Sequence, residues 1–524
     1  MLGKGRKKIY TDVPEVTERN VIQVLRDAIT VHNEIVSDCE GLINFVSGVQ
    51  PLQRIKTYRS DIDIQDIDNV ADEITNFKTS FNWGNPISLV QHGDNDGGSA
   101  KESEAIAELN SCYDSEKVRH KTQELARFVE VCGIGYTYTD VNTEYEDGDS
   151  YFKYMVLDPR NAFIVRSSYY PDQRIMMNVT FRQDQIGNKY YTVFTKDRRF
   201  EILNANATKK ADDSWDFGEG NNEKNPLGRL PFVEWIRNVD RTGCFERQIP
   251  ELNALNILAS DFANDVDQNT QCIWHANDIE FPTETYVDED GNEQTRVIHP
   301  TSNDWVETST TPDGKTPFVN PLHVEYDYQG MLNNYLSKRA LILQKCNVPS
   351  RNDNSGGSTG IAMSDATGWT QAEVEATQQD QLKNDSKLDE VKIALAAMKL
   401  CKGFDSNGAL AKLKYSDVKP NIKRQKTYEM TTKINAFATA VSHGLDYKSM
   451  LQTINLFDDP QQVARDSEET MKMFIDKTFG NEVEDIEVDE NGKKQGIDAP
   501  VPDRLDQDRS DQIDNSPRLD KGRG

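Results

Sequence analysis

The chain has 524 residues, with 87 acidic against 60 basic side chains and a formal net charge of −27 at pH 7. That balance excludes ordinary nucleic-acid binding by a basic surface, which needs Lys and Arg to neutralise phosphates. Hydrophobic residues make up 36 %, enough for a core but low for a globular enzyme, and no run of about 18 apolar residues predicts a membrane span.

The length is that of about three or four domains. Lys4, Arg6, Lys7 and Lys8 form a basic cluster with no apolar segment after it, so no secretory leader is expected. The seven cysteines are scattered and none lies in a Cys-x-x-Cys pair, which reads as reduced thiols in a cytosolic setting.

Helical spacing of Val21, Val24, Leu25 and Ala28 predicts a first helix over Glu18 to His32. A second is predicted over Ile67 to Phe81, and a third, after a Gly- and Ser-containing linker, over Lys101 to Val131. Gly133 to Phe217 changes character. Its short aromatic and β-branched runs, such as Tyr151 to Leu157 and Ile175 to Phe181, predict one antiparallel sheet or small barrel-like unit. The polar loop from Ala211 to Lys224 then leads into Asn225-Pro-Leu-Gly-Arg-Leu-Pro-Phe-Val-Glu-Trp235, a turn followed by a buried strand.

Two amphipathic helices follow, over Gln248 to Ile273 and Tyr328 to Cys346. They bracket a region rich in Thr, Asp, Glu and Pro with hairpin signals at Asp290-Gly291 and Asp313-Gly314. This predicts a stalk with a small β head. Asn347 to Gly360 is a glycine-containing loop. Trp369 to Leu400 then reads as one helix of about 48 Å at ~1.5 Å per residue. Its first half is polar and its second half carries Leu388, Val391, Leu395 and Met398, so the first half is expected to face solvent or a partner. Residues 481–524 are acidic, contain no aromatic residue and are expected to be disordered.

No catalytic constellation emerges. There is no P-loop, no H-E-x-x-H pair and no G-x-S-x-G elbow, and the histidines are dispersed. Asp288-Glu-Asp-Gly-Asn-Glu293 places Asp290 and Gly291 wrongly for a calcium loop and reads as a hairpin turn. Asp261 and Asp265 lie one turn apart, but no second acidic pair completes a Mg²⁺ site. Gly356-Gly-Ser-Thr-Gly360 lacks the Lys that a phosphate cradle would use. No metal, cofactor or enzymatic activity is expected.

Four stretches in fixed order carry a family resemblance. They are Asn76-Phe-Lys78 through Phe81-Asn-Trp-Gly-Asn-Pro-Ile87, then Asn225 to Trp235, then Leu258-Ala-Ser-Asp-Phe-Ala-Asn-Asp265, then Ser358-Thr-Gly-Ile-Ala-Met363 before the long helix. Together they resemble the portal proteins of tailed bacteriophages, of the type found in siphophages of Gram-positive bacteria. Thr359 stands where that family commonly has Ser, and the acidic tail has no counterpart in it.

The resemblance implies an α+β portal-type subunit: a mixed α/β wing (residues 1–247), a stem of two helices (248–274 and 327–346) and a β-hairpin clip (275–326). A tunnel loop (347–361), a tunnel helix returning to the wing (362–430), a helical crown (431–480) and the acidic tail (481–524) complete it. Leu258, Asp261, Phe262 and Asp265 would belong to the stem; Asp288, Asp290, Gly291, Glu293, Asp313 and Gly314 to the clip. Asn347, Arg351, Asn352, Asp353, Asn354, Gly356, Gly357 and Gly360 would belong to the loop lining the channel. It further implies a ring, usually of twelve subunits, at one capsid vertex of the virion, assembled in the host cytoplasm. The ring would pass double-stranded DNA during packaging and ejection. Expected partners are the terminase large subunit, a head-completion adaptor, scaffolding protein and major capsid protein, with no membrane. An acidic wall suits DNA that must slide. Two alternatives stay open: a scaffold or minor head protein without a channel, and a metal-dependent enzyme such as a nuclease or ligase.

Overall fold

The computed structural model describes residues 3–52, 62–91, 100–169, 173–205, 214–218, 222–270, 273–277, 283–287, 291–298, 317–322, 327–349, 368–422, 424, 427–454, 457 and 460–479. The chain divides into two units, residues 1–462 and 463–524.

In the first unit, β1 (Ile9–Thr11) precedes α1 (Val21–Val46), α2 (Val70–Trp83), β2 (Ser88–Gln91), α3 (Ala100–Ser115) and α4 (Val118–Cys132). The first helix runs well beyond the predicted His32 because its apolar ridge continues through Ile35, Cys39, Leu42 and Phe45, all buried. The predicted third helix is two. Lys117 adopts a left-handed conformation (φ 55°) and breaks it. The buried positions accordingly jump from Tyr113 to Val118, a step of five that one straight helix does not keep on one face.

The strands β3 (Ile134–Val141), β4 (Phe152–Leu157), β5 (Ala162–Ser167), β6 (Ile175–Gln183), β7 (Lys189–Phe194), β8 (Arg198–Ala205), β9 (Ser214–Phe217), β10 (Glu223–Lys224) and β11 (Phe232–Ile236) do not form the single sheet expected. A seven-stranded sheet runs β1-β5-β6-β7-β8-β10 with β9 also on β8, and β1 joins β5 in parallel. A separate three-stranded antiparallel sheet runs β11-β3-β4. The split arises because β11, from the turn-strand stretch, pairs with β3 in the register Phe232↔Tyr138 to Ile236↔Ile134.

Three apolar clusters hold this unit together. The largest joins α1 and α2 to the inner faces of both sheets through side chains such as Leu25, Leu42, Phe163, Val179, Phe200 and Phe245. His32 is the polar intruder. It is buried beside Phe163 (centroids 4.3 Å apart) and bonds the Pro159 carbonyl at 3.1 Å. Burial lowers its pKa to about 4.

After β11 come α5 (Ile249–Thr270), β12 (Ile273–Asn277), β13 (Thr283–Val287), β14 (Glu293–Val297), β15 (Phe318–Leu322), α6 (Tyr328–Lys345) and α7 (Trp369–Met398). Then follow α8 (Ala409–Lys412), β16 (Val418–Asn421), which pairs with β2, α9 (Thr427–Ser442) and α10 (Tyr447–Ile454). The helix α11 (Pro460–Asp466) spans the unit boundary, and α12 (Glu468–Phe479) lies in the second unit. No helix among the described residues is long and apolar enough to cross a membrane.

Candidate functional site

The helix pair α5/α6 carries one set of the predicted residues. On α5, Asn256, Ser260 and Asn264 recur every fourth residue and are all buried. They face the extended segment Ile62 to Asp68 and grip its backbone. The amide of Asp68 donates to Asn256 Oδ1 (3.1 Å), that of Asp66 to Ser260 Oγ (3.0 Å) and that of Ile64 to Asn264 Oδ1 (2.9 Å). Ser260 Oγ and Asn264 Nδ2 donate back to the carbonyls of Asp66 and Ile64. A segment outside any sheet thus has its backbone groups satisfied by one helix face.

Leu258 and Phe262 lie on the neighbouring face and line a 240 Å³ cavity with Met331 and Tyr335 of α6. Phe262 also meets Tyr328 edge-on at 6.0 Å. Asp261 and Asp265 are half-buried on the same helix. Among the described residues no group of three or more His, Cys, Asp or Glu side chains could hold a metal ion. Across the pair, Arg339 bonds Asp68 (3.0 Å) and Glu73, tying α6 to the segment Ile62 to Asp68 and to α2.

Beyond these helices, β12 pairs with β15 and β13 with β14. The hairpin expected at Asp290-Gly291 is there. Val287 faces Glu293 across it, and Gly291 takes φ +82°, a value that glycine adopts freely. Every side chain of β13 and β14 is exposed, and Arg296 pairs with Glu284 at 2.8 Å. Asp288, Asp290, Asp313 and Gly314 lie outside the described residues.

The glycine loop is defined by its roots. Arg351, Asn352, Asp353, Asn354, Gly356, Gly357 and Gly360 lie outside the described residues, but Asn347 to Pro349 and Gly368 lie within them. The two roots converge. A β-carbon on Gly368 would sit 3.9 Å from the Cα of Pro349. Phe77 and Phe81 of α2 hold Trp369 just beyond, at centroid distances of 5.9 and 5.7 Å.

Glu375, two turns into α7, ties both roots down. It accepts from Lys78 Nζ (2.6 Å) and Asn347 Nδ2 (2.9 Å), and it pairs with Arg237. Burial pushes its carboxyl up, yet Arg237 and Lys78 more than offset this and hold it below the ordinary carboxylate range. Arg237 also bonds the fully buried Glu130 (2.9 Å), which accepts from Asn82 and Trp83 Nε1 at 3.1 Å each.

Polar contacts continue along α7. Lys383 donates to the Asn82 carbonyl (2.8 Å) and lies 4.3 Å over the Trp83 ring; burial lowers its pKa to about 8. Lys387 pairs with Glu390 at 2.5 Å, and Arg424 bridges Glu373 (2.9 Å) and Asp380 (2.5 Å). The polar half of this helix lies only partly in solvent: Gln378, Gln381 and Asp385 are exposed, while another face is packed. Gln379, Lys383 and Lys387 are buried, and the counter-charges of the two lysines, Asp380 and Glu390, come from α7 itself.

This arrangement positions elements relative to one another. The family model for phage portal proteins of the SPP1 Gp6-like type matches residues 62–477. The chain belongs to this family. A comparison with curated proteins finds no match. The portal family is structural and non-enzymatic, and its members are components of the virion capsid. The match begins at Ile62, two residues before Ile64, whose amide bonds Asn264 of α5. The portal core nevertheless includes residues that precede the match. Ile9, Leu25, Leu42 and Phe45 share one apolar cluster with Phe163 and Val193.

Sequence reasoning missed three sets of portal residues: the Asn256–Ser260–Asn264 ladder, the Glu375 hub and the Glu130–Arg237 pair. Only the first had a local signal, since its small polar residues recur every four positions on an otherwise apolar helix. The other partners stand far apart in sequence.

Proposed function

We propose that the chain forms a closed ring, of twelve copies as in the proteins it resembles, through which double-stranded DNA passes during packaging and ejection. In this reading α5 and α6 are the stem, β12 to β15 belong to the clip, residues 347–361 face the channel, and α9 to α12 belong to the crown. The clip docks the terminase large subunit and later a head-completion adaptor. Scaffolding and major capsid proteins meet the wing.

One observation carries the reading. Pro349 and Gly368, the described residues on either side of the glycine loop, stand beside each other. An insertion with converged and ion-paired roots can reach away from the body without disturbing the core. The exposed hairpin β13–β14 supports the clip assignment, because a ribbon of two strands, all that pairs there among the described residues, is marginal in water and gains from a partner. Leu332 and Leu336, one turn apart on α6 and 41 % and 51 % exposed, support contact between stems. One face of the polar half of α7 is used internally, and its exposed face, with Gln378, Gln381 and Asp385, is left for a neighbouring copy.

Native mass spectrometry and particle images of the purified chain test the ring. A closed ring with a central hole is expected; monomers or dimers well above micromolar concentration would overturn it and favour a head protein without a channel. Replacing Gly356 and Gly357 with Val should allow ring and capsid assembly but lower the DNA packaged, and normal packaging would mean the loop does not face the channel. Deleting Asp288 to Arg296 should leave the ring intact and abolish adaptor attachment.

A further inference from the structure

The strand β11 is an edge strand: β3 is its only partner among the described residues. The ladder fixes which of its backbone groups are spoken for. The Thr139 amide donates to the Pro231 carbonyl and the Arg237 amide to the Gly133 carbonyl, at 3.1 Å each. In an antiparallel pair such bonds alternate, so odd-numbered residues face β3. The amides and carbonyls of Phe232, Glu234 and Ile236 face away from it. One of these outward groups has a partner: the Glu234 carbonyl accepts from Ser386 Oγ at 2.9 Å.

This edge is the back wall of a 540 Å³ groove. One side is Ile175 of the seven-stranded sheet with Lys196 of the turn between β7 and β8; the other is α7, through Leu382, Asp385 and Ile393. A layer on each side, and behind it an edge whose outward groups other than the Glu234 carbonyl are unpaired, is the setting of a missing strand. The five residues of β11 offer about 17 Å of edge at ~3.4 Å per residue. The cations of the groove are unevenly used. Arg166 pairs with Glu234 (2.8 Å) and Lys392 with Asp389 (2.7 Å). Lys196 and Arg229 are exposed at the sheet side and pair with no carboxylate among the described residues.

We infer that this groove takes an extended apolar and acidic segment of a partner protein, added as a fourth strand beside β11 with its carboxylates against Lys196 and Arg229. Backbone bonds to Phe232, Glu234 and Ile236 supply affinity, and the alternating side chains select the partner. The groove is lined partly by α7, the tunnel helix of the proposed reading, but by no residue of 347–361.

The test uses the full-length purified protein in its assembled form and a fluorescein-labelled seven-residue peptide of alternating Val and Glu with blocked ends. Binding is read by fluorescence anisotropy. The peptide should bind, and an alternating Val and Lys peptide should bind at least tenfold more weakly. N-methylation of every second residue, which removes the strand bonds, should abolish binding. The double variant Lys196→Glu, Arg229→Glu should lose at least tenfold. Ser386→Ala, which frees the Glu234 carbonyl, should tighten binding severalfold. Hydrogen exchange should show new protection at the amides of Phe232, Glu234 and Ile236, and this arm decides if the double variant misfolds. No binding, indifference to the charge reversal, or protection elsewhere would overturn the inference. Binding to the unassembled chain alone would also overturn it, because a neighbouring copy would then fill the groove.

Discussion

Two ion pairs on α7 share a spacing and little else. Lys387 and Glu390 meet at 2.5 Å, with side chains 5 % and 0 % exposed; Lys392 and Asp389 meet at 2.7 Å, with side chains 33 % and 60 % exposed. On the inner face, Lys387 also lies 3.8 Å over the Tyr113 ring, and Glu390 accepts from Thr137 Oγ1 at 3.4 Å. On the outer face, Lys392 lies 4.7 Å over Tyr415 and its partner carboxylate is in water. The helix sequence alone does not distinguish the pairs; the elements packed against each face do. Charge in a helix therefore does not mark a solvent face when other elements bring matching groups.

The largest effect should come from splitting the inner pair. Lys387→Ala leaves Glu390 charged and buried, which is expected to cost about 3–5 kcal/mol. Removing both, in Lys387→Met with Glu390→Leu, should recover most of that loss, because the isolated charge is the expensive state. Denaturant unfolding of the three proteins measures both steps. If the single variant loses under about 1 kcal/mol, the inner pair behaves like an exposed one and the contrast fails.

Titration sharpens the same contrast between buried and exposed groups. Burial lowers His32 to about 4. Its unfolded value is near 6.5, so between these values the unfolded chain binds the extra proton and stability falls as pH drops from 6.5 to 4. The difference in pKa corresponds to about 3 kcal/mol. Burial also lowers Lys383, to about 8, against an unfolded value near 10.5. Its cost is complete below pH 8 and is relieved as pH rises toward 10.5, again by an order of 3 kcal/mol. Stability profiles of His32→Leu and Lys383→Met should be flatter than the parent in these two windows respectively. A slope unchanged in either variant would mean that the group titrates normally.

Much of the fold was legible where one face of an element is uniformly apolar. The ridge of α1 up to Ala28, the seam of α7 from Val391 to Met398 and the aromatic and β-branched runs of β6 and β7 all announced themselves. The break at Lys117 was not legible, because neither Gly nor Pro marks it and apolar positions continue on both sides. The pairing of β11 with β3 was not legible either, since Phe232 and Tyr138 meet across a gap that only tertiary packing closes. The candidate site divides in the same way. The positions of the hairpin at Gly291 and the helix residues Leu258 and Phe262 follow from local pattern. The anchorage of Asn347 depends on Glu375, Lys78 and Arg237, three residues whose proximity no local rule encodes.

The smallest effect belongs to the outer pair. Lys392→Ala removes one ion pair and one cation–ring contact, each partly in water, and should cost under about 1 kcal/mol. Salt gives the sharper reading. Exposed pairs are screened at high ionic strength and buried ones far less. The cost of Lys392→Ala should therefore shrink toward zero between low salt and about 1 M, where the screening length is ~3 Å, while the cost of Lys387→Ala persists. Equal salt sensitivity of the two variants would mean that water reaches the inner face of α7. The polar half of the helix would then be a hydrated seam in place of a packed one, and the anchorage of the loop root through Glu375 would be correspondingly weaker.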